Sequence, residues 1–274
     1  MILVAGATGN VGGELVRALL ARGAPVRALA RSEGGPIAGA DRAVGDLDRP
    51  ESLGPALDGV TGLFLLPGYR DMPGVLAAAQ AAGVTRVVQL SGSSAAGGNT
   101  TNAISAYMIR TEEALRTSGL QWTILRPFGF MSNTLEWAPQ LREGDVVRAP
   151  FGGVRVAVID PADIAAVAAT ALIEDGHEGR AYTLTGPESL LPADRVRILG
   201  EVLGRSLRFE AMSDEEAWAD MTARMPEQYV KAFFDFYVDG SLDESQVLST
   251  VQEVTGRPPG TFADWAHAHA DAFR

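Results

Sequence analysis

The chain has 274 residues, 46% of them hydrophobic and 21% charged, which is typical of a folded globular protein rather than a disordered one. It contains no cysteine, which excludes disulfides, thiolate nucleophiles and cysteine-bound metal sites. Its net charge of −11 argues against sequence-independent binding to nucleic acid. The N-terminus lacks the basic segment of a secretory signal and no apolar run is long enough to span a membrane, so a cytoplasmic location is expected.

Short β-rich segments alternate with helical patterns through the first half of the chain, as in βαβ units with a parallel sheet. Strands are predicted at 2–5, 26–30, 42–44, 62–66, 86–90 and 122–125, with helices at 11–22, 50–57, 72–82 and 104–118. Further strands are predicted at 154–159 and 181–184, on either side of a helix that begins at 160–163. From about 187 the chain is predicted to be mostly helical, with a capping box at Ser213–Glu216 and a last helix running from near Thr261 to Phe273.

A glycine-rich turn joins the first predicted strand to the first predicted helix. It has the spacing G-x-x-G-x-x-G, in which the glycines allow a tight bend, close approach of the backbone to a diphosphate and close packing of helix on strand. The helix N-terminus then presents free amides to the phosphates. A purely structural turn is the alternative, but the position between strand and helix predicts dinucleotide binding. The predicted binding residues are Gly6, Thr8, Gly9, Asn10, Val11 and Gly12.

The end of the second predicted strand indicates which nucleotide is bound. NAD-specific sites place an acidic residue here to hold the ribose hydroxyls, but this strand runs into Arg31 and Ser32 with no acid before Glu33. Arg31 can pair with a 2′-phosphate and Ser32 can donate a hydrogen bond to it, which predicts that NADP(H) is preferred over NAD(H). The alternative is that Arg31 is a solvated loop residue.

Seven segments, taken in order, resemble the NmrA-like atypical short-chain dehydrogenase/reductase family, and within it the type 2 quinone oxidoreductases and NADPH-dependent azoreductase-like members. They are MILVAGATGNVG, VRALAR, GDLDRPESL, LRPFGFMSN, DPADIAAVAATAL, GHEGRAYTLTG and VTGRPPGTFADWAHAHADAF. The resemblance implies an α/β fold with a Rossmann-type doubly wound parallel sheet, formed by 1–135 plus about 151–186. A small, mostly helical C-terminal domain would comprise about 136–150 plus 187–274, with the substrate between the two domains.

The resemblance also implies which residues line the cofactor. Asp46 and Leu47 would border the adenine, while Arg31 would meet the 2′-phosphate. The remaining residues would follow the carboxyl ends of the strands, where parallel sheets bind ligands. They are Leu65, Leu66, Pro67, Ser91, Gly92, Pro127, Phe128 and Phe130. Ordinary core packing is the alternative for the two phenylalanines.

The catalytic pattern of the wider superfamily, Tyr-x-x-x-Lys, is incomplete in this chain. Tyr107 lies in the expected helix, but Thr111 stands four residues on. Met108 stands where the lysine of isoflavone-reductase-like relatives aligns. Lys231 is the only lysine, and Arg110 cannot serve as an acid–base group because a guanidinium stays protonated.

Two functions remain open, and the first is favoured. In it, the chain is an NADPH-dependent oxidoreductase that transfers hydride to a small aromatic or quinone-like acceptor, whose oxygen is protonated by water, Ser93 or Tyr107. In the second, it is a catalytically silent NADP(H)-binding redox sensor that acts through a protein partner. A sugar-nucleotide epimerase would need the missing lysine. No metal is expected, because His267 and His269 would face different sides of a helix, and a homodimer is left open.

Aromatic residues are concentrated at 218–237, with spacings of three and four that fit one apolar face of a helix. Most are expected to pack the small domain against the sheet. Trp137, Phe151 and Tyr229 are predicted instead to form an apolar roof over the nicotinamide, suited to a flat aromatic substrate.

Overall fold

The computed structural model describes residues 1–274 as a parallel sheet with helices on both faces, followed by further helices. Its strands are β1 (Ile2–Val4), β2 (Val26–Ala30), β3 (Asp41–Val44), β4 (Gly62–Leu65), β5 (Arg86–Leu90), β6 (Gln121–Pro127), β7 (Val146–Ala149), β8 (Arg180–Leu184) and β9 (Arg208–Ala211). Seven of them form the main sheet in the order β3–β2–β1–β4–β5–β6–β8, and all neighbours are parallel. The strand order reverses direction between β1 and β4, as in a Rossmann-type sheet, which confirms the predicted fold class.

Eleven α-helices connect and cover the strands. They are α1 (Asn10–Ala21), α2 (Gly54–Leu57), α3 (Met72–Ala81), α4 (Ala103–Arg116), α5 (Ala138–Glu143), α6 (Pro161–Ile173), α7 (Pro192–Leu203), α8 (Asp214–Thr222), α9 (Glu227–Tyr237), α10 (Thr250–Thr255) and α11 (Phe262–Ala268). Four 3₁₀ segments lie at Pro50–Ser52, Ser93–Gly97, Met131–Trp137 and Ala270–Phe273. None of the helices has the length and apolar character needed to cross a membrane.

The central strand β1 shows how both faces of the sheet are buried. Ile2 and Val4 point to one face and pack with α1 and α6, whereas Leu3 points to the other and packs with α3 and the end of α4. None of the three is more than 7% exposed. Strands of a parallel sheet are apolar on both faces because the crossover helices cover both. The carboxyl ends of these strands therefore meet at one edge, which is where a ligand can enter.

A third apolar cluster holds the C-terminal helices against the segment that follows β6. It joins Phe128 and Trp137 to Leu199 of α7, Trp265 of α11 and Phe273. Burial of such large side chains gives the C-terminal helices a fixed position on the sheet. The cluster contains residues from both predicted domains, and the boundary between those domains stays a prediction.

The strand predicted at 154–159 is wrong. The segment is extended, but its backbone bonds to several different segments rather than to one neighbouring strand. The amide of Ala157 donates to the carbonyl of Glu244 at 2.7 Å, and that of Ile159 donates to the carbonyl of Gly129 at 3.0 Å. Because no single partner runs alongside, only isolated bridges form.

Three other departures from the predicted elements have local causes. The sequence does not predict β7 and β9, which pair as a separate two-stranded parallel sheet and are too short to show an alternating pattern. The helix predicted at 50–57 is divided into a 3₁₀ turn and α2, since Pro55 has no amide to donate within a continuous helix. The last helix ends at Ala268, and a separate 3₁₀ turn carries the chain to Phe273.

Candidate nucleotide and acceptor site

The glycine turn leaves the N-terminus of α1 open at the carboxyl edge of the sheet. Gly6 has a φ of +65°, and a Cβ atom on Gly12 would lie 2.1 Å from the carbonyl oxygen of Gly6, so neither position accepts a larger residue. No side chain caps the helix at Gly9, and the amides of Asn10, Val11 and Gly12 donate to no protein group. Free amides at the positive end of a helix dipole fit the diphosphate of a dinucleotide.

A cavity of about 390 Å³ continues from this turn along the ends of β2 and β3, and we call it the adenosine cavity. It brings together residues that the sequence analysis assigned to the diphosphate, the 2′-phosphate and the adenine. Arg31 is exposed there and forms no ion pair with a carboxylate, so its guanidinium is free to bind a phosphate. The lining includes Gly6, Thr8, Arg31, Ser32, Asp46 and Leu47.

Arg42 is a second guanidinium in the adenosine cavity, and the sequence analysis does not identify it. Its Nε donates to the carbonyl of Gly35 at 2.9 Å and its Nη1 donates to that of Ser32 at 3.0 Å, which holds it without a carboxylate partner. Arg42 lies opposite Ala28 in the parallel pairing of β3 with β2. The only signal in the sequence is a basic residue in a short strand.

Asp46 closes the other side of the adenosine cavity. A hydrogen bond from the amide of Asp48 lowers the pKa of Asp46, and its Oδ2 accepts a hydrogen bond of 3.2 Å from Nε of Arg49. Leu47 beside it is only 6% exposed. The cavity therefore combines an ionised carboxylate, which accepts hydrogen bonds from Asp48 and Arg49, with two guanidinium groups that form no ion pair.

The segment after β4 lies against both the glycine turn and α4. Leu66 packs on Gly6, where a Cβ atom would come within 2.5 Å of its Cδ1 atom. Gly68 has a φ of +92°, and a Cβ atom on it would lie 3.7 Å from the ring of Tyr107. Leu65 is fully buried and faces the core instead. Of the residues predicted here, Leu66 approaches the glycine turn and Pro67 borders the cavity that contains Tyr107.

We call this second space the tyrosine cavity. The hydroxyl of Tyr107 has no hydrogen-bond partner, and burial together with the nearby Tyr229 raises the pKa of Tyr107. Lys231 is exposed on α9 and pairs with Glu227 at 2.7 Å, so no lysine is present to lower that pKa. Tyr107 is consequently a weaker acid than in the usual Tyr–Lys pair. The cavity is lined by Pro67, Gly68, Ile104, Tyr107, Arg110, Met225, Tyr229 and Phe233.

The residue at the lysine position of the reductase relatives faces the end of β5. A Cβ atom on Gly92 would lie 3.6 Å from Cε of Met108, so the thioether lies beside the backbone at that strand end. A thioether carries no exchangeable proton. This position can shape the site but cannot take part in acid–base chemistry.

Ser91, predicted to border the cofactor, has its side chain committed to a buried ion pair. Its Oγ donates to Oε1 of Glu112 at 2.7 Å, and Arg126 contacts both carboxylate oxygens, with Nε at 2.9 Å and Nη2 at 2.5 Å. Burial alone would raise the pKa of Glu112, but the hydrogen bonds from Arg126 and Ser91 outweigh it and lower the pKa. The group ties α4 to β5 and β6 and so fixes the strand ends around the site.

A buried carboxyl group lies next to Ser93, and the sequence analysis does not identify it. The Oγ of Ser93 is 2.5 Å from Oε1 of Glu244, and the hydroxyl of Tyr237 donates to Oε2 at 3.1 Å. Glu244 is 6% exposed, and burial raises its pKa. Burial and the neighbouring Glu244 also raise the pKa of Tyr237. We call Ser93, Glu244 and Tyr237 the proton-holding group.

Tyr237 also lines a third space, which we call the aromatic cavity. Trp137 and Phe151 of the predicted roof lie in it, whereas Tyr229 lies in the tyrosine cavity, so the structure divides the predicted roof between two spaces. Phe151 adopts a φ of +57° and is held between Phe234 and Tyr237, with ring centroids 5.5 and 5.2 Å away. The cavity measures about 170 Å³, close to the roughly 150 Å³ of an engineered apolar cavity that binds benzene.

The three residues predicted after β6 have different surroundings. Pro127 ends the strand and is buried. Phe128 is 7% exposed and belongs to the third apolar cluster, which agrees with the core-packing alternative. Phe130 is partly buried and lines the aromatic cavity. Only the last of these side chains reaches a space that a ligand could fill.

Comparison with known proteins agrees with this arrangement. The chain is 43% identical to a (4-alkanoyl-5-oxo-2,5-dihydrofuran-3-yl)methyl phosphate reductase of Streptomyces griseus, over 100% of this chain and 99% of the relative. It is 39% identical to an NAD(P)H azoreductase of Xenophilus azovorans, again over 100% and 99%. The structure of an NADPH-dependent quinone oxidoreductase of Escherichia coli in complex with NADPH aligns with a TM-score of 0.79 and 25% identity, over 99% of this chain and 100% of that one.

The family comparison covers the sheet and the glycine turn. Residues 6–175 match the model of the NAD(P)H-binding family, which is well over half of the chain. The chain belongs to this NAD(P)H-binding family, as an oxidoreductase of the NmrA-like atypical short-chain dehydrogenase/reductase type.

Proposed function

We propose that the chain transfers hydride from NADPH to a small, flat, conjugated acceptor such as a quinone. The observation that carries this proposal is the proton-holding group, which extends from the end of β5 to the aromatic cavity. This group supplies a buried acid. Tyr107, the tyrosine of the incomplete Tyr-x-x-x-Lys pattern, has no lysine to lower its pKa.

The preference for NADPH rests on the charges of the adenosine cavity. Arg31 and Arg42 both line it, and neither is paired with a carboxylate. A guanidinium can form two parallel hydrogen bonds with a phosphate, so the extra 2′-phosphate of NADPH would be bound more strongly than a ribose hydroxyl. No acidic residue occupies the end of β2 to hold the hydroxyls of NADH.

The proton for the reduced acceptor is proposed to come from Glu244. When bound, the reduced nicotinamide supplies a hydride, and reduction of a quinone then consumes one proton from the protein or solvent. Burial keeps Glu244 protonated to a higher pH than an exposed glutamate, and Oγ of Ser93 lies within hydrogen-bonding distance of its carboxyl group. Tyr237 is the one member of the group that lines the aromatic cavity, so it is proposed to pass the proton from Glu244 to the acceptor, with Ser93 holding the carboxyl group in place.

The acceptor class is supported by what the relatives share. Their names describe a reductase for an alkanoyl-oxo-dihydrofuran phosphate, an azoreductase and a quinone oxidoreductase. These substrates are all electron-poor conjugated systems, in which added hydride leaves a charge spread over several atoms. Such acceptors need less acid assistance than a simple ketone, which suits a site without a Tyr–Lys pair.

The test is a binding titration with NADPH and NADH, followed by NADPH oxidation with a panel of quinones, azo dyes and acyl-butenolides. We expect tighter binding of NADPH and turnover of at least one conjugated acceptor, but not of simple ketones. Tight NADPH binding without oxidation by any acceptor would defeat the proposal and favour the alternative, an NADP(H)-binding redox sensor that acts through a protein partner.

A further inference from the structure

Arg195 of α7 is a partly buried cation without an anionic partner. Its Nε has no exposed surface and no hydrogen-bond partner, and no carboxylate oxygen lies within 4 Å of its guanidinium. Its Cζ atom lies 5.1 Å from the ring centroid of Trp137. The other arginines that reach the interior have partners; Arg126, for example, contacts both oxygens of Glu112.

The environment of this guanidinium makes the missing partner costly. A charge that is largely removed from water is normally paired, because losing its hydration is unfavourable. Burial lowers the pKa of Arg195 to about 10, which still leaves it positively charged near neutral pH. The contact with the Trp137 ring offsets part of that cost. No carboxylate of the protein offsets the rest.

The guanidinium lines the aromatic cavity rather than a closed part of the core. The same cavity is lined by Trp137, Phe151 and Tyr237. Glu136 also borders it, but its carboxylate is exposed and farther than 4 Å from Arg195. Glu244, behind Tyr237, is a buried acid that accepts a hydrogen bond from the hydroxyl of Tyr237. The cavity thus offers aromatic walls, space for one ring and a single unpaired positive charge.

We propose that Arg195 binds an anionic oxygen group of the acceptor, such as a carboxylate, sulfonate or phosphate, while the conjugated ring lies against Trp137 and Phe151. The inference rests on the proposed function, because it concerns the acceptor of the same site. Arg195 would then set specificity, favouring conjugated acceptors that carry a negative charge over neutral ones of the same shape.

The test compares two one-ring acceptors of similar shape, 1,4-benzoquinone and 1,4-benzoquinone-2-sulfonate. In Arg195→Met, which keeps a long side chain over Trp137, we expect kcat/KM for the sulfonate to fall roughly 10- to 100-fold more than kcat/KM for the neutral quinone. Arg195→Lys should keep part of the preference, since it keeps the charge but not the planar pair of donors. Arg197→Met is the matched control, because Arg197 is exposed on the same helix and pairs with Glu201; it should change neither value.

A second readout separates failure of this inference from failure of the proposed function. Calorimetry with NADP⁺ present measures binding of both quinones without turnover, and the sulfonate should bind more weakly to Arg195→Met than to the wild-type chain. If the wild type oxidises NADPH with neither quinone but shows this difference, the reductase proposal fails and the anion site stands. If both acceptors are affected equally, or the wild type does not bind the sulfonate, Arg195 has a structural role only. Should Arg195→Met fail to fold, Arg195→Gln takes its place as the uncharged variant, and an unchanged preference for the sulfonate in Arg195→Gln would overturn the inference.

Discussion

Ser93 and Glu244 are 151 residues apart in the chain, yet Oγ of one lies 2.5 Å from Oε1 of the other inside the protein. Ser93 follows strand β5, whereas Glu244 lies in the irregular segment after α9. The same segment is held by the amide of Ala157, which donates to the carbonyl of Glu244 at 2.7 Å. The C-terminal region therefore contributes a side chain to the edge of the sheet as well as a cover for it.

Replacing Glu244 by Gln should lower kcat for quinone reduction by roughly 100-fold, at the lower end of the range for loss of a general acid. In the wild type, activity should decline as the pH rises through the raised pKa of Glu244, because the protonated form is the donor. Glu244→Gln should show a flatter profile. Asp243→Asn is the matched control, since Asp243 is adjacent and exposed. Equal pH profiles for the wild type and Glu244→Gln would contradict the assignment.

Glu244→Gln should lower activity but should raise stability relative to the wild type at high pH. The pKa of Glu244 is higher in the folded protein than in the unfolded chain, so its contribution to stability is fully present below its ordinary pKa and is lost as the pH rises through the raised value. The melting temperature of Glu244→Gln should therefore rise relative to that of the wild type as the pH goes from acidic to alkaline. The double variant Ser93→Ala/Glu244→Gln should change the melting temperature little more than either single change, because the two residues act as a unit.

Gly12→Ala should abolish measurable NADPH binding and destabilise the fold by about 1–3 kcal/mol, the usual cost of overpacking. The added Cβ would lie 2.1 Å from the carbonyl oxygen of Gly6, so the glycine turn would have to move. Gly13→Ala is the control, since its Cβ would meet Ala7 at an ordinary 3.4 Å. Calorimetry and urea unfolding check both; intact binding in Gly12→Ala would place the dinucleotide elsewhere.

Arg31→Met and Arg42→Met should each weaken NADPH binding by roughly 10- to 100-fold, while NADH binding changes little. The two guanidinium groups share the adenosine cavity and have no carboxylate partners. Fluorescence titration with both nucleotides gives the ratio of the two dissociation constants. Arg142→Met is the control, because Arg142 is an exposed arginine of α5. An equal loss for both nucleotides would mean that the arginines support the cavity without recognising the 2′-phosphate.

Glu112→Gln should destabilise the protein by about 1–3 kcal/mol, because it leaves the partly buried Arg126 without its counter-charge. The pKa of Glu112 is lowered in the folded state, so the stability it contributes is present above its ordinary pKa and is lost as the pH falls through the lowered value. Denaturant unfolding at several pH values checks both the size and the sign. Glu113→Gln, next to it and exposed, should stay close to the wild type.

The two candidate spaces for the acceptor can be distinguished by two variants. Trp137→Phe reduces a wall of the aromatic cavity and should raise KM for quinones, whereas Tyr229→Ala changes only the tyrosine cavity and should leave KM unchanged. Steady-state kinetics with one quinone is sufficient. The reverse result would place the acceptor beside Tyr107 and remove Trp137 from the substrate site.

The parts of the site that could be predicted from the sequence are those encoded over short distances. The glycine turn, Arg31 and the first six strands each follow from a local pattern of residue types, and the structure has them within a few residues of the predicted places. The positions of Arg42, Arg195 and Glu244 in the site depend on tertiary packing, so no local spacing in the sequence predicts them. The segment 154–159 shows the same limit, since its alternating valines resemble a strand but its backbone partners lie in separate loops.

The absence of cysteine and the exposed position of Lys231 have a chemical consequence for the proposed reduction of an electrophilic acceptor. Quinones and conjugated carbonyl compounds alkylate thiols and primary amines. The aromatic and tyrosine cavities are lined by neither, and the one lysine side chain lies on the surface of α9 in an ion pair with Glu227. A reactive acceptor in either cavity therefore meets no side chain of these two kinds, so it can leave in reduced form without modifying the walls that hold it.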